Sequence, residues 1–269
     1  MTKPTRTAAV VGWLRRRGGA LAIFALLIVL WEVAVRVTGV KEYLLPPPSK
    51  VWTEFWKRHD IVAGGAWVTT QEILAGYALA VVVSIPLAMW IAYSRFMEQA
   101  VYPVIVFLQI VPKIAIAPLF IIWFGFGFTP KLLLVFLLSF FPIVVSSIAG
   151  FKSADRDVMD FARTTGAGGL KLFLKIRLPQ ALPHIFTGLK VGAALAATAA
   201  VVAEFVASDR GLGYLQLQYN GQLDTPMVFA TIVILSLIGV VVYYGVEIVE
   251  RLAIPWHVSH QHAAQDATM

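Results

Sequence analysis

The chain has 269 residues, no cysteine and a formal net charge of +7; 59% of its residues are hydrophobic and only 14% are charged. A soluble domain contains about 45–50% apolar and about 25% charged residues. The composition therefore excludes a soluble enzyme, a disordered chain and a disulfide-stapled secreted domain. The positive charge lies between apolar runs rather than in one tail, which argues against binding to nucleic acid. A multi-spanning protein in contact with membrane lipid fits this composition.

Six segments are long and apolar enough to cross a bilayer, which takes about 20 residues. They comprise residues 19–37, 67–93, 101–128, 132–151, 185–206 and 228–249. Three arginines precede the first segment, as in a signal peptide. However, its apolar run is longer than the usual 7–15 residues or so, and no cleavage site follows, so we interpret it as a retained anchor.

The distribution of Lys and Arg predicts the orientation of these spans. If the N-terminus is cytoplasmic, the inner segments carry about twice as many of these residues as the outer ones, which places both termini inside. One permease domain, 19–250, then follows a cytoplasmic segment, 1–18, and precedes a cytoplasmic tail, 251–269. Within it, a peripheral helix at 19–37 is separate from the core at 67–250.

The cytoplasmic loop at 152–183 is too long for a tight connection and too amphipathic for a linker. Asp155 or Asp157 can cap a first short helix, and Gly166 can end it. A second short helix follows and is expected to stop at Pro179. One interpretation is a helical hairpin lying on the inner leaflet, held by its cationic side chains.

The spacing within this loop resembles the cytoplasmic signature of ABC-importer permeases: an acid, a glycine six residues later, and Ile-x-Leu-Pro ten residues after the glycine. The matching residues are Asp160, Phe161, Ala162, Gly166, Ile176, Leu178 and Pro179. In that family the first short helix is a coupling helix that docks in a groove of a cytoplasmic ATPase. Asp160 replaces the usual glutamate and keeps its charge. Phe161 replaces an alanine and puts a bulky ring at or near the docking surface.

The resemblance extends over most of the chain, to permeases of the nitrate, sulfonate and taurine type. The segments that carry it are Leu45-Pro46-Pro47-Pro48-Ser49, the run from Val111 to Phe120, Trp123-Phe124-Gly125-Phe126-Gly127, Phe140-Phe141-Pro142-Ile143, Ala203-Glu204-Phe205, Gly211-Leu212-Gly213-Tyr214, and Glu250-Arg251 with Pro255-Trp256.

The resemblance implies a type I importer fold with six transmembrane helices in the bacterial inner membrane. It also implies a second copy of the chain, two cytoplasmic ATPase subunits that hold ATP and Mg, and an external solute-binding protein. The chain has no phosphate-binding loop and its histidines form no metal set, so we expect no cofactor on this chain and no enzymatic activity. The group imports nitrate, bicarbonate, sulfonates, taurine, aromatic carboxylates and vitamin precursors; residues 112–115 look closer to the last two classes.

Ionisable residues inside spans are costly and usually face a cavity or one another. Lys113 lies near mid-depth in the third segment, next to Pro112, which breaks helical hydrogen bonding. We hypothesise that Lys113 contributes positive charge to a translocation pathway for a polar or anionic solute. The alternative is a structural pair with Glu72 or Glu204. Glu204, near the outer end of the fifth segment, either serves a gate or the binding protein, or pairs with Arg210 or caps a turn.

The segment after the fifth span, Asp209–Thr225, is the candidate for contact with the binding protein. Gly211 and Gly213 permit a chain reversal, and Arg210 and Tyr214 suit an exposed interface. Alanines at 193–200 give the fifth helix a surface that permits close packing. A standalone secondary transporter and a membrane-embedded hydrolase are the alternative functions. The first would import without ATP, and the second would turn over substrate alone.

Overall fold

The structure is a computed structural model that describes residues 6–164 and 169–256, and the regular secondary structure within these ranges is all helical. The α-helices are α1 (Arg6–Thr38), α2 (Pro48–Lys57), α3 (His59–Tyr93), α4 (Arg95–Ile110), α5 (Ala117–Phe124), α6 (Phe128–Lys152), α7 (Arg156–Thr164), α8 (Gly169–Leu172), α9 (Leu178–Ala207), α10 (Leu212–Gly221) and α11 (Thr225–Ala253). A 3-10 turn, Lys113–Ile116, precedes α5, and a π-helical turn, Phe173–Arg177, joins α8 to α9.

Internal contacts divide the chain into two compact units. The first unit contains the residues up to Val62 together with Gln216–Ile232. The second contains Ala63–Leu215 together with the residues from Val233 onward. Helices α3, α10 and α11 each run through a boundary between the units, so neither unit is a separate stretch of sequence.

Four helical segments of the described chain are long and apolar enough to cross a membrane: α3, α6, α11, and α9 with the π-turn before it. They correspond to four of the six predicted spans. The predicted third span is not one straight helix, because α4 and the Lys113–Phe124 segment meet at an angle of 86°. Together this bent pair would make a fifth span.

The N-terminal prediction differs from the structure in its boundary. Helix α1 begins at Arg6, inside the segment that was expected to precede the first span, and α1 is not among the four helices that meet the span criteria. Six spans with both termini inside therefore stays a prediction. Residues 1–5 and residues 257–269, most of the predicted tail, lie outside the described chain.

Helices α6 and α9 pack closely because glycine and alanine line their contact. A Cβ atom on Gly188 would lie 2.9 Å from the Pro142 carbonyl oxygen, and one on Gly192 would lie 2.9 Å from the Ile143 side chain. The Ser139 hydroxyl donates to the Gly192 carbonyl at 3.1 Å. The alanines of α9 that are buried in the same region include Ala193, Ala196, Ala197, Ala199 and Ala200. The predicted small-residue surface is thus used for packing within the chain.

The start of α9 confirms that a new helix begins next to Pro179, as the sequence predicts, but corrects the prediction that the preceding helical structure stops there. Pro179 lies in the first turn of α9, where a missing backbone N–H leaves no hydrogen bond unmade. The backbone before it is already helical, since Arg177 and Leu178 both have right-handed helical torsion angles. Helical structure therefore continues from α8 through the π-turn into α9. Farther along α9, Lys190 forms an ion pair with Glu250 of α11 at 2.8 Å.

Candidate functional site

The loop after α6 forms a helical hairpin with a small core of its own. Asp155 caps α7, because its Oδ1 accepts from the backbone N–H of Asp157 at 2.9 Å, as the sequence predicts. One face of α7 packs on α8. The residues that form this core are Met159, Ala162 and Leu172, with Ala154 and Ile176 packed against them. The small side chain of Ala162 permits the close approach of the two helices.

The opposite face of α7 is exposed and mixes apolar with acidic side chains. Phe161 is 72% exposed and Val158 is 42% exposed, while Asp157 and Asp160 are also at the surface. A phenyl ring that is so exposed contributes little to the stability of the chain through packing. An exposed apolar patch with a charged border is typical of a surface that binds another protein.

The remaining residues of the cytoplasmic signature lie after this hairpin. Ile176 is in the π-turn, and Leu178 and Pro179 form the half-buried first turn of α9. Gly166, the predicted end of the first short helix, lies outside the described residues. The signature therefore covers both the exposed helix and the point where its hairpin joins α9.

The π-turn packs on aromatic residues of α3 and α6. The Phe173 ring centroid is 5.6 Å from that of Tyr93 and 6.2 Å from that of Phe151. The guanidinium of Arg177 lies 4.9 Å from the centre of the Tyr93 ring. Single π-turns inside helices frequently occur at functional sites. Here the turn connects the hairpin directly to two spanning helices.

The break after α4 places Lys113 at a helix end. Pro112 has no backbone N–H, and the Lys113 ammonium donates to the Gln109 carbonyl at 2.6 Å, so it caps the last turn of α4. The ammonium also lies 4.6 Å from the centre of the Phe141 ring. Lys113 is half-buried. Its structural role is therefore a cap. The alternative of a structural pair with Glu72 or Glu204 is not the contact observed, because both glutamates have other partners.

A buried ion pair joins α3 to α6. The Lys131 ammonium pairs with the Glu72 carboxylate and donates to the Ser208 hydroxyl at 2.9 Å. Glu72 has no exposed surface, and Lys131 is 5% exposed. Charges buried this deeply require a partner. Glu72 therefore joins two helices through this ion pair, and a role for it in a translocation pathway stays a prediction.

Glu204 holds the start of α10. One carboxylate oxygen accepts from the Thr69 hydroxyl at 2.6 Å, and the other accepts from the backbone N–H of Gly213. The Thr69 hydroxyl accepts in turn from the backbone N–H of Leu212 at 2.8 Å. These contacts satisfy two of the N–H groups that a helix leaves unpaired at its first turn. Of the alternatives for Glu204, the structure shows the turn cap.

The turn before α10 needs glycine. Gly211 has φ +106°, and a Cβ atom there would lie 2.1 Å from Oε1 of Glu204. A Cβ on Gly213 would lie 2.9 Å from the Glu204 Cβ atom. Both glycines are buried, whereas Arg210 is exposed and Tyr214 is half-buried. Arg210 lies near Asp209 rather than Glu204, at 3.7 Å. Contact of this segment with a binding protein stays a prediction. Of the four residues named for it, Arg210 and Tyr214 have side chains that can take part in such a contact.

Sequence reasoning missed Lys131 and Thr69. Lys131 directly precedes a long uncharged run, which is typical of a charge that flanks a span and has no further role. A signal was present, since Glu72 is an acid near the outer end of one predicted span and Lys131 is a base at the outer end of another. Opposite charges at the same predicted depth could have been paired on that ground.

Comparison with known proteins agrees with this architecture. Residues 84–254 match the family model of the binding-protein-dependent transport system inner membrane component. The chain is 36% identical over 234 residues to the formylaminopyrimidine transport permease protein ThiX of Halalkalibacterium halodurans, covering 87% of this chain and 93% of that one. It is 37% identical over 238 residues to the riboflavin transport system permease protein RibX of Chloroflexus aurantiacus, covering 87% and 88%. It is 29% identical over 245 residues to the taurine transport system permease protein TauC of Escherichia coli, covering 88% and 89%.

A solved structure shares the fold. The chain is similar to a chain of the MetNI methionine ABC transporter in an inward-facing conformation, with a TM-score of 0.63 and 15% identity, over 73% of this chain and 97% of that one. The family model covers more than half of the sequence, and the span-like helices agree with a multi-pass inner-membrane protein. The chain therefore belongs to the family of binding-protein-dependent transport system inner membrane components, and it is a permease subunit of an ABC importer.

Proposed function

We propose that two copies of this chain form the translocation pathway and that α7 of each copy docks on a separate ATPase subunit, which holds ATP and Mg. The observation that carries this proposal is the division of α7 into two faces. One face is buried in the hairpin core, and the other presents Phe161 and Val158 to solvent. The hairpin is cytoplasmic in this arrangement, and α10 lies near the outer surface, where an external binding protein delivers solute.

The structure supports a route for the motion. A hairpin with its own core moves as a unit, and α8, which packs on α7 in that core, continues into α9 through the π-turn without a non-helical joint. Docked ATPase subunits that close on ATP would displace α7, and α9 would follow. The chain thus converts motion at the cytoplasmic face into a change of access in the spans.

Reconstitution tests this function. The purified chain is combined with its ATPase and binding protein in liposomes, and both ATP hydrolysis and uptake are measured. We expect binding protein to stimulate hydrolysis and uptake to require ATP. Uptake without ATP would indicate a secondary transporter, and substrate turnover by the chain alone would indicate a hydrolase; either result would overturn the proposal.

We further propose that the solute is a small planar aromatic heterocycle. The formylaminopyrimidine and riboflavin permeases are 36% and 37% identical to this chain, whereas the compared taurine and sulfonate permeases are 28–29% identical. Calorimetry of the partner binding protein tests this, with formylaminopyrimidine, riboflavin, taurine and nitrate as ligands. Tight binding of taurine or nitrate alone would contradict the proposal.

We propose in addition that Lys113 and the break at Pro112 contribute to the pathway. The half-buried ammonium lies beside the Phe141 ring at the bend, where α4 and the next segment separate. Replacement of Lys113 by Met should lower uptake at a normal protein level, and Lys113→Arg should restore part of it. Lys41→Met is the matched control, since the Lys41 ammonium lies 5.9 Å from the Tyr43 ring. Unchanged uptake in Lys113→Met would remove Lys113 from the pathway.

A further inference from the structure

The turn between α10 and α11 contains a leucine in an unfavourable backbone conformation. The Asp224 N–H donates to the Tyr219 carbonyl at 2.9 Å, and the Leu223 N–H donates to the Asn220 carbonyl at 3.1 Å. This pair of bonds is the Schellman ending of a helix, which places the next-to-last residue in the left-handed region. Leu223 accordingly has φ +56°, and it is the one non-glycine residue with positive φ in the described ranges.

An arginine fixes this turn from the side. Arg58 donates to the Asp224 carboxylate at 2.5 Å, and its guanidinium lies 5.8 Å from the centre of the Tyr219 ring. The hydrogen bond to Asp224 raises the pKa of Arg58 above its usual value, so the guanidinium stays charged. Arg58 therefore ties together the two ends of the turn, and Leu223 cannot leave its left-handed conformation without breaking these contacts.

The Leu223 side chain has little packing within the chain that could offset the free-energy cost of this backbone conformation. Glycine usually occupies the position because a Cβ atom is unfavourable there. A buried side chain could offset that cost through packing, but Leu223 is 69% exposed. Glycine or asparagine would remove both the backbone strain and the exposed apolar surface. Strained residues that persist without a local benefit are frequently functional.

The surroundings of Leu223 favour a protein partner over lipid. Leu217 is 43% exposed, and the exposed side chains between the two leucines are the uncharged amides Gln218, Asn220 and Gln222. An apolar centre with an uncharged polar border is typical of a protein interface. Membrane–water interfaces instead favour Trp and Tyr together with cations.

Side chains typical of a membrane–water interface occur elsewhere in the same unit of the structure, on α2. On α2, Trp52 and Trp56 are 63% and 53% exposed, one helical turn apart, and Lys57 follows them. The α2 surface has the composition of a membrane anchor, and the surface at the end of α10 does not.

We infer that Leu223 is an apolar contact residue through which the α10–α11 turn docks on the external solute-binding protein. This inference rests on the proposed orientation, with α10 near the outer surface. Leu223 lies within the segment that the sequence predicts for this contact, at the end of α10 opposite the buried Gly211 and Gly213.

Three variants of the complete importer in lipid nanodiscs test the inference, with ATP hydrolysis titrated against binding protein. Leu223→Asn removes the apolar side chain, and asparagine tolerates the left-handed region, so the turn is kept. We expect it to raise the binding-protein concentration for half-maximal stimulation about tenfold, as for a central interface residue, with unchanged basal hydrolysis. Leu223→Met keeps an apolar side chain and should behave as wild type. Leu44→Asn is the control, because Leu44 is 64% exposed in another turn of the same unit.

The outcomes separate this inference from the proposed function. If wild-type hydrolysis does not respond to binding protein, the proposed function fails, and the inference fails with it. If wild type responds and Leu223→Asn responds equally, only the inference is overturned, as it is if Leu223→Met loses as much as Leu223→Asn. A photoreactive benzophenone residue at position 223 should form an adduct with the binding protein in cells. An adduct with lipid or with a second copy of the chain would contradict the assignment.

Discussion

Glu72, Lys131 and Glu204 are charged groups with almost no contact with solvent. Taking such groups out of water costs several kcal/mol each, and the cost is recovered only through partners in good geometry. Lys131 compensates Glu72, while Thr69 and the start of α10 compensate Glu204. These side chains therefore fix the relative positions of the helices that carry them.

Replacement of Lys131 by Met should destabilise the protein by about 3–5 kcal/mol, because it leaves the Glu72 carboxylate buried without its cation. The double variant Glu72→Gln/Lys131→Met should be closer to wild type. The midpoint of thermal unfolding in detergent measures both. Lys152→Met is the control: its pair with Glu98 is largely exposed and should contribute at most about 1 kcal/mol. A double variant as unstable as the single one would show that the ion pair is not the cause.

Gly211→Ala should destabilise the turn before α10 by about 1–3 kcal/mol, because alanine is strained at φ +106° and its Cβ would overlap the Glu204 carboxylate. The unfolding midpoint again provides the measurement. Gly221→Ala is the matched control at the other end of α10, where no atom lies within 4 Å of an added Cβ. Equal stability of the two alanine variants would contradict the role assigned to Glu204 as a cap.

At the level of elements, the residues that form the core of the α7–α8 hairpin and the residues of its proposed docking surface lie on different faces of α7. Ala162 and its neighbours form the hairpin core, whereas Phe161 makes no comparable packing contribution. Substitutions on the exposed face should therefore leave the fold intact. The same is expected of exposed residues on α4, none of which belongs to the hairpin core.

Phe161→Ala should lower ATP-dependent uptake at least about tenfold, as for loss of a central interface residue, while the amount of permease in the membrane stays unchanged. Uptake normalised to protein level measures the effect, and co-purification of the ATPase should fall in parallel. Phe96→Ala serves as the control, since Phe96 is 75% exposed on α4 and lies outside the proposed docking surface. Normal uptake and normal ATPase recovery in Phe161→Ala would exclude α7 as the docking helix.

The elements also show what sequence reasoning can reach. The cap of α7 by Asp155 was predictable because an N-cap acts within three residues, and the packing role of the alanines in α9 follows from side-chain size. The bend near Pro112 was only half predicted. A proline reveals where hydrogen bonding stops, but the 86° angle depends on what packs beside the break, here Phe141 next to Lys113. For partners from distant segments, such as Glu72 with Lys131, the predicted depth in the membrane suggests which charges can meet, and the tertiary structure shows which of them do.

For the whole molecule, apolar periodicity and the positive-inside bias predict a multi-pass protein with a cytoplasmic hairpin. Composition identified this class, and motif spacing identified the family, which the comparisons confirm. The number of spans could not be predicted from composition or from motif spacing. Residues 101–128 have the apolar length of a span but fold as a bent pair, because apolar length does not report backbone direction.

The absence of cysteine permits a direct test of the orientation. Gln222→Cys and Lys171→Cys each introduce a single exposed thiol, at the end of α10 and on α8. A membrane-impermeant maleimide applied to intact cells that lack an outer-membrane barrier should label position 222, and position 171 only after the inner membrane is opened. The unmodified chain should remain unlabelled. Labelling in the reverse order would invert the topology and place α7 on the wrong side for an ATPase.

Helical backbone runs without a non-helical joint from Gly169 to Ala207, through α8, the π-turn and α9. The 30 residues of α9 alone correspond to about 45 Å at 1.5 Å per residue. Glu204 lies close to the far end of α9, where it caps the start of α10. In the proposed orientation, one continuous stretch of helical backbone therefore joins the cytoplasmic hairpin to the outer turn, and a displacement at the hairpin would reach that turn without crossing a loop.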